Sequence, residues 1–214
     1  MEFTPMFFSY QLIGDSMLLR FAEQILGLRC KYENGLRFLG YCVSGQTLKD
    51  LRMRLKAEFY RVSDKVILLI GTNDLLRDTK PDRMQTRMKS ILRYIRETAS
   101  EVVVLTVPPV PKLAFKEDHW SRLQAFNSFI LTLNDDVTIR VADITSLYVA
   151  RPGLCRMDYF EKFYESNRRV DKIHLNKKGL TVIKDFLLNN NFVIIDNAVP
   201  KNWVPDSEKW ISGS

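Results

Sequence analysis

Residues 66–74, VILLIGTND, decide the fold. Val66–Ile70 is an unbroken apolar run with no polar face, so a strand built from it must be covered on both sides. That is the signature of a parallel strand inside an α/β sheet. Gly71-Thr72-Asn73-Asp74 then turns the chain at the strand's carboxyl end. Working outward, four more β-rich runs follow the same plan: Phe7–Ile13, Leu36–Val43, Val102–Val107 and Val137–Val141.

The intervening segments carry helical spacing. Met17–Leu28 gathers Leu18, Leu19, Ala22, Ile25 and Leu26 on one face, and Thr47–Tyr60 spaces Leu48, Leu51 and Leu55 three and four apart. Pro81–Thr98 opens on a proline suited to a first helical turn and repeats Met84, Met88, Ile91 and Ile95. Trp120–Leu133 and Lys177–Leu188 complete the set. Alternating strands and helices predict a three-layer α/β domain with a doubly wound parallel sheet, flavodoxin-like, in strand order 2-1-3-4-5. One domain is expected over residues 1–196. Residues 197–214, with two Pro and two Trp, read as an extended tail that packs back on the domain or meets a partner.

Composition narrows the class. Thirty-two Lys and Arg against 25 Asp and Glu leave a charge of +7, which suits a polyanionic partner. Cys30, Cys42 and Cys155 form no CxxC pair, which argues against a disulfide framework or a zinc site. The amino terminus has Glu2 and no basic stretch before its apolar residues, unlike a signal peptide. The apolar runs are too short to span a bilayer. A soluble cytoplasmic protein, not associated with membranes, is expected. With no phosphate loop, no GxGxxG and no metal-ligand cluster, no cofactor and no metal are implied. The oligomeric state is left open.

In doubly wound sheets the reactive crevice lies outside the carboxyl ends of the strands. Gly14-Asp15-Ser16 follows the first strand, Ser44-Gly45 the second, and Gly71-Thr72-Asn73-Asp74 the third. Asp171-Lys172-Ile173-His174-Leu175-Asn176 precedes the last helix and can return to the same rim. Each has a plain structural explanation alone. Asp15 or Ser16 can cap a helix, as can Asn73 or Asp74, and Gly45 can be a turn glycine. Asp171 can pair with Arg169 or Lys172, and His174 can be a half-buried polar residue. Their convergence on one edge argues for a site. The other histidine, His119, falls in a charged segment, KEDHW, between elements.

These blocks resemble those of the SGNH (GDSL-type) hydrolase superfamily. LIGDSMLLRF looks like its first block, Gly45 in CVSGQTL sits where the second-block glycine belongs, and LLIGTNDLL is similar to the GxND block. DKIHLNKKG is similar to the terminal DxxHLNxxG block, and the order is kept from Tyr10 to Leu188. The resemblance implies a serine esterase acting on a small carboxylic ester or thioester. Ser16 would be the nucleophile, His174 its base and later acid, and Asp171 the orienter of the imidazole. The oxyanion hole would use the Ser16 and Gly45 N–H groups with the Asn73 amide, a Cβ at position 45 crowding the oxyanion. The chain departs from the family after GDS, where Met17-Leu18-Leu19-Arg20 replaces a hydroxyl or small residue. Met17 is expected in the core and Arg20 near the rim.

A non-enzymatic resemblance stands beside it. The SGNH-like domain of the Oskar family of germ-plasm proteins binds RNA and is regarded as non-catalytic, and this chain looks similar in its basic surplus and altered first block. It differs in keeping Ser16, Asp171 and His174. Basic clusters suit RNA: Lys49, Arg52, Arg54, Lys56 and Arg61 on and after the second helix, and Lys80 to Arg96 on the third. A further group runs from Arg151 through Arg168 and Arg169 to Lys178. Arg52, Arg54, Arg168 and Arg169 are the candidate nucleic-acid contacts.

Overall fold

The structure is a computed structural model and describes residues 4–151, 153–163 and 170–194. The tail beyond residue 196, Arg168 and Arg169 lie outside the described residues.

The first apolar run breaks in two. Phe8 adopts a left-handed φ of 52°, folding β1 (Met6–Phe7) back antiparallel on β2 (Tyr10–Gly14). Helix α1 (Ser16–Gln24) follows directly. Next come β3 (Lys31–Glu33) and β4 (Leu36–Leu39), joined at Asn34-Gly35, where φ is 50° and 77°. Two consecutive positive φ values are what a type I′ hairpin turn requires, and Asn-Gly supplies them at little cost. A second turn at Gly40 (φ 55°) reverses the chain into β5 (Cys42–Val43). The predicted strand Leu36–Val43 is therefore two antiparallel pieces, and only β5 lies parallel to β2.

Helix α2 (Leu48–Lys56) starts in a capping box between Thr47 and Asp50. Strand β6 (Lys65–Leu69), short helix α3 (Thr72–Leu76), α4 (Pro81–Arg96) and β7 (Glu101–Leu105) follow. Then come α5 (Glu117–Leu131), β8 (Ile139–Ala142), the hairpin β9 (Val149–Arg151) and β10 (Leu154–Cys155), and α6 (Lys177–Asn189).

The sheet order is β3-β4-β5-β2-β6-β7-β8, with β1 also paired to β2. Its parallel part, β5-β2-β6-β7-β8, is the predicted 2-1-3-4-5 order, and the antiparallel β3 and β4 extend one edge. Alternate residues of each strand feed opposite cores, as the period of two dictates. Ile67 and Leu69 of β6 face the layer of α1 and α6, with Leu18, Phe21 and Ile183. Val66 and Leu68 face the layer of α2, α4 and α5, with Leu51, Met88 and Phe126. Both faces are covered, which is why VILLI reads as a continuous apolar run. Among the described residues no helix is long and apolar enough to cross a membrane.

Candidate functional site

The site is built where β2 ends. A Cβ on Gly14 would lie 2.1 Å from the Leu69 carbonyl oxygen, so the two strand ends approach this closely only with glycine there. The Asp15 N–H donates to that carbonyl at 3.2 Å, and its carboxylate caps α1 by accepting the Met17 N–H at 3.0 Å. Asp15 is thus the cap. Ser16, the first residue of α1, keeps its hydroxyl for other partners.

The Ser16 hydroxyl is 3.0 Å from Nε2 of His174. On the other side of the ring, Nδ1 of His174 is 2.8 Å from Oδ2 and 3.0 Å from Oδ1 of Asp171. Asp171 is fully buried, and its Oδ1 also accepts the N–H groups of Ile173 and His174. Burial by itself would raise the Asp171 pKa. Hydrogen bonds and charge from His174, with the two backbone donors, outweigh it and hold the carboxyl below the usual range. The three predicted triad residues are thereby one hydrogen-bonded chain. A proton on Nδ1 directed at Asp171 makes Nε2 the acceptor for the Ser16 proton, as serine chemistry requires.

Arg20, one helical turn after Ser16, lies beside the site and reaches two carboxylates. It is buried, 8% exposed, with Nη2 3.7 Å from Oδ2 of Asp171 and Nη1 3.3 Å from Glu161. Its guanidinium needs carboxylate partners once out of water, and that need draws it to Asp171. Glu161, on the backbone paired with the Asp171–His174 loop, was not visible in the sequence. Met17 is in the core, as expected.

The oxyanion candidates reach the same strand end through Gln46, which sequence reasoning missed. The buried Gln46 side-chain amide donates to the Gly14 and Tyr41 carbonyls, and the Gln46 backbone carbonyl accepts from the Asn73 side chain at 3.0 Å. One Asn73 amide hydrogen is engaged there, leaving the second. Gly45 holds φ 73°, and a Cβ on it would meet nothing within 4 Å. The left-handed turn is reason enough for glycine at this position. Asp74 does cap a helix, but across the fold: it accepts the Leu48 N–H at the start of α2.

Other parts of the last block are structural. Asn176 caps α6 through the Gly179 N–H, and a Cβ on Gly179 would come within 2.4 Å of the Tyr159 carbonyl oxygen. Among the described residues no cluster of three or more His, Cys, Asp or Glu could hold a metal ion.

His119 lies inside α5 and is fully buried, correcting its expected place between elements. Nε2 accepts the Val110 N–H, and burial, with the charges of Arg122 and Lys116, lowers its pKa to about 4. Asp15 shows the opposite shift, raised to about 6 mainly by burial against the opposing Met17 N–H. The signs compete. From pH 6.5 down to about 4 the unfolded chain protonates a histidine that the fold keeps neutral, which removes stability. From pH 6 down to about 4 the folded chain takes up the Asp15 proton first, which adds it. Unfolding free energy should therefore be nearly flat between pH 6.5 and 4.5. In urea titrations His119→Gln should gain about 2 kcal/mol over that window and Asp15→Asn should lose about as much, at roughly 1.4 kcal/mol per pKa unit. Parallel profiles for the two variants would contradict these shifts.

Of the candidate nucleic-acid contacts, Arg52 and Arg54 project half-buried from α2, the Arg54 guanidinium 5.8 Å from the ring centre of the exposed Phe59.

Comparison with known proteins places this geometry among relatives. A model of the OSK domain family, described as "OSK domain", matches residues 1–191. The maternal effect protein oskar of Drosophila virilis is 24% identical over 154 residues, which are 71% of this chain and 25% of that protein. Its Drosophila melanogaster counterpart matches to the same extent, so the chain spans about a quarter of the curated relatives it matches. The crystal structure of the OSK domain of Drosophila Oskar superposes with a TM-score of 0.73 at 22% identity, covering 86% of this chain and 91% of that one. A putative platelet activating factor structure from Streptococcus pneumonia gives 0.62 at 20% identity, covering 84% of this chain and 81% of its own. A lipolytic protein of the G-D-S-L family from Veillonella parvula gives 0.57 at 14%, covering 86% and 97%. These structural likenesses establish the SGNH fold.

Proposed function

The chain belongs to the OSK domain family, and from that premise we propose that it is an RNA-binding domain on an SGNH scaffold, its contacts made by the basic helices α2 and α4. The distribution of charge carries this reading. Helix α2 has Lys49, Arg52, Arg54 and Lys56 against Asp50, and α4 has five Lys and Arg against Asp82. Nine basic and two acidic residues leave an excess of seven, equal to that of the entire 214-residue chain. The remainder is balanced. The two helices pack in one layer on the same face of the sheet, so their charges sum into one field able to attract a polyanion.

Arg52→Glu with Arg54→Glu should weaken binding of a single-stranded RNA at least tenfold at low salt. It should also reduce the slope of log affinity against log salt by about 1.4, at about 0.7 per lost phosphate contact. Equal affinity and slope in the variant would remove α2 from the interface.

A second reading is favoured by the chain Ser16–His174–Asp171, whose spacing is that of a working serine hydrolase. In it Ser16 attacks the carbonyl carbon of a small ester or thioester while His174 takes the hydroxyl proton and later delivers it to the leaving group. The Ser16 and Gly45 N–H groups and the second Asn73 amide hydrogen would receive the oxyanion.

A further inference from the structure

At the end of the sheet opposite Ser16, an open cleft of about 490 Å³ lies between the second half of α4, the residues after α5 and the first residue of β8. The partly exposed Leu133, over the buried Leu92 and Ile139, supplies its apolar floor, and Lys89, Arg93, Arg96 and Glu97 supply its polar walls. The three cations are spaced four and three residues apart on one helix, so their stems rise in steps of about 6 and 4.5 Å.

Like the cations of α2, they are not neutralised by a carboxylate among the described residues. Elsewhere the basic side chains that reach carboxylates are paired: Arg87 with Asp74, Arg122 with Asp78, Arg140 with Glu101, and Arg20 with Glu161. Among the described residues Lys89, Arg93 and Arg96 take part in no ion pair, and all three are exposed. Lys89 lies 5.6 Å from the Phe129 ring centre and Arg93 lies 5.4 Å from that of Tyr94, contacts that orient a cation without cancelling it. Arg96 is near enough to help lower the pKa of Asp135. That carboxylate is already engaged by the N–H groups of Val137, Thr138 and Ile139.

We propose that this cleft is a binding site for single-stranded RNA, a base lying against Leu92, Leu133 and Ile139 while successive phosphates meet Lys89, Arg93 and Arg96. The inference rests on the RNA-binding reading and narrows it to one place. An apolar surface beside a row of cations suits an unstacked base with its own backbone. A duplex hides its base faces and would use the cations alone. The cleft is also remote from the triad, so an RNA strand here leaves Ser16 uncovered.

The test uses the full chain and a fluorescein-labelled oligouridylate of about 12 nucleotides, within the span one such domain can cover. Lys89→Glu, Arg93→Glu and Arg96→Glu combined should weaken binding at least tenfold and flatten the salt slope by about 2, at about 0.7 per phosphate. Lys184→Glu, on α6 in the opposite layer, should change neither. Leu133→Ser should weaken the single strand severalfold and leave duplex RNA unaffected. Should the triple substitution impair folding, Arg96→Glu alone should still lower the slope by about 0.7. Undiminished binding by the folded charge variants would place RNA elsewhere and overturn the cleft while the RNA-binding reading survives. A wild type that binds no oligouridylate would overturn both. Wild type that binds phosphatidylserine vesicles instead would assign the cleft to an anionic membrane surface.

Discussion

Asp74→Ala should lower the unfolding free energy by about 3 kcal/mol in a urea titration. The carboxylate is fully buried where three helices meet. It belongs to α3, Oδ2 accepts the Leu48 N–H that opens α2 at 2.7 Å, and Oδ1 accepts Nη1 of Arg87 in α4 at 3.1 Å. Burial raises its pKa, opposed by the Leu48 donor and the Arg87 charge. Alanine would leave Arg87 without its carboxylate and a buried N–H without an acceptor, on top of the cavity. The Arg87 side chain is a quarter exposed, which keeps the figure at the low end for a broken buried pair. Asp74→Asn retains an acceptor for Leu48 and should lose about half as much. A loss under about 1 kcal/mol for alanine would mean that α2 and α4 are held by their apolar faces alone.

Asp171→Asn should separate the triad from the RNA surface. An asparagine amide facing Nδ1 of His174 drives the imidazole proton to Nε2, where it can no longer accept from Ser16. In serine proteases this change costs about 10⁴ in rate. Labelling of Ser16 by a fluorophosphonate probe should fall by a comparable factor, as it should in Ser16→Ala, while RNA affinity should stay within about twofold, the proposed phosphate contacts being on α2 and α4. Arg20 keeps its contact with Glu161, so the domain should remain folded. Unchanged labelling in Asp171→Asn would show that the 2.8 Å contact does not govern Ser16. A parallel drop in RNA binding would show that the rim of the triad belongs to the RNA interface.

The long apolar elements were legible because burial on both faces writes itself into composition. VILLI and VVVLTV needed no partner to be read as interior parallel strands, and the Leu and Met spacings of α2 and α4 named their buried faces. The short antiparallel edge was not read. Tyr32, Leu36 and other residues of β3 and β4 are exposed, so no burial pattern marks them, although Asn34-Gly35 carried the hairpin signal. The meeting of Ser16, His174 and Asp171 was legible because their residue types fall in short blocks in the expected order. Gln46 and Glu161 were not, since each acts through contacts 32 and 141 residues away that no local spacing encodes. The partners of Arg20 were hidden for the same reason: its carboxylates come from the far end of the chain. The cleft beside α4 draws on α4, the turn after α5 and β8, which only the folded sheet brings together.

The most direct measurement is the affinity of the full chain for single-stranded RNA across salt, with fluorophosphonate labelling of Ser16 read on the same preparation. The account predicts RNA binding whose logarithm falls linearly with log salt, at a slope of at least about 3.5, from five or more phosphate contacts on the α2 and α4 layer. It predicts that this curve is unchanged by Ser16→Ala, whatever the labelling shows. A folded wild type that labels at Ser16 and binds no RNA at low salt would contradict it and leave the hydrolase reading in its place.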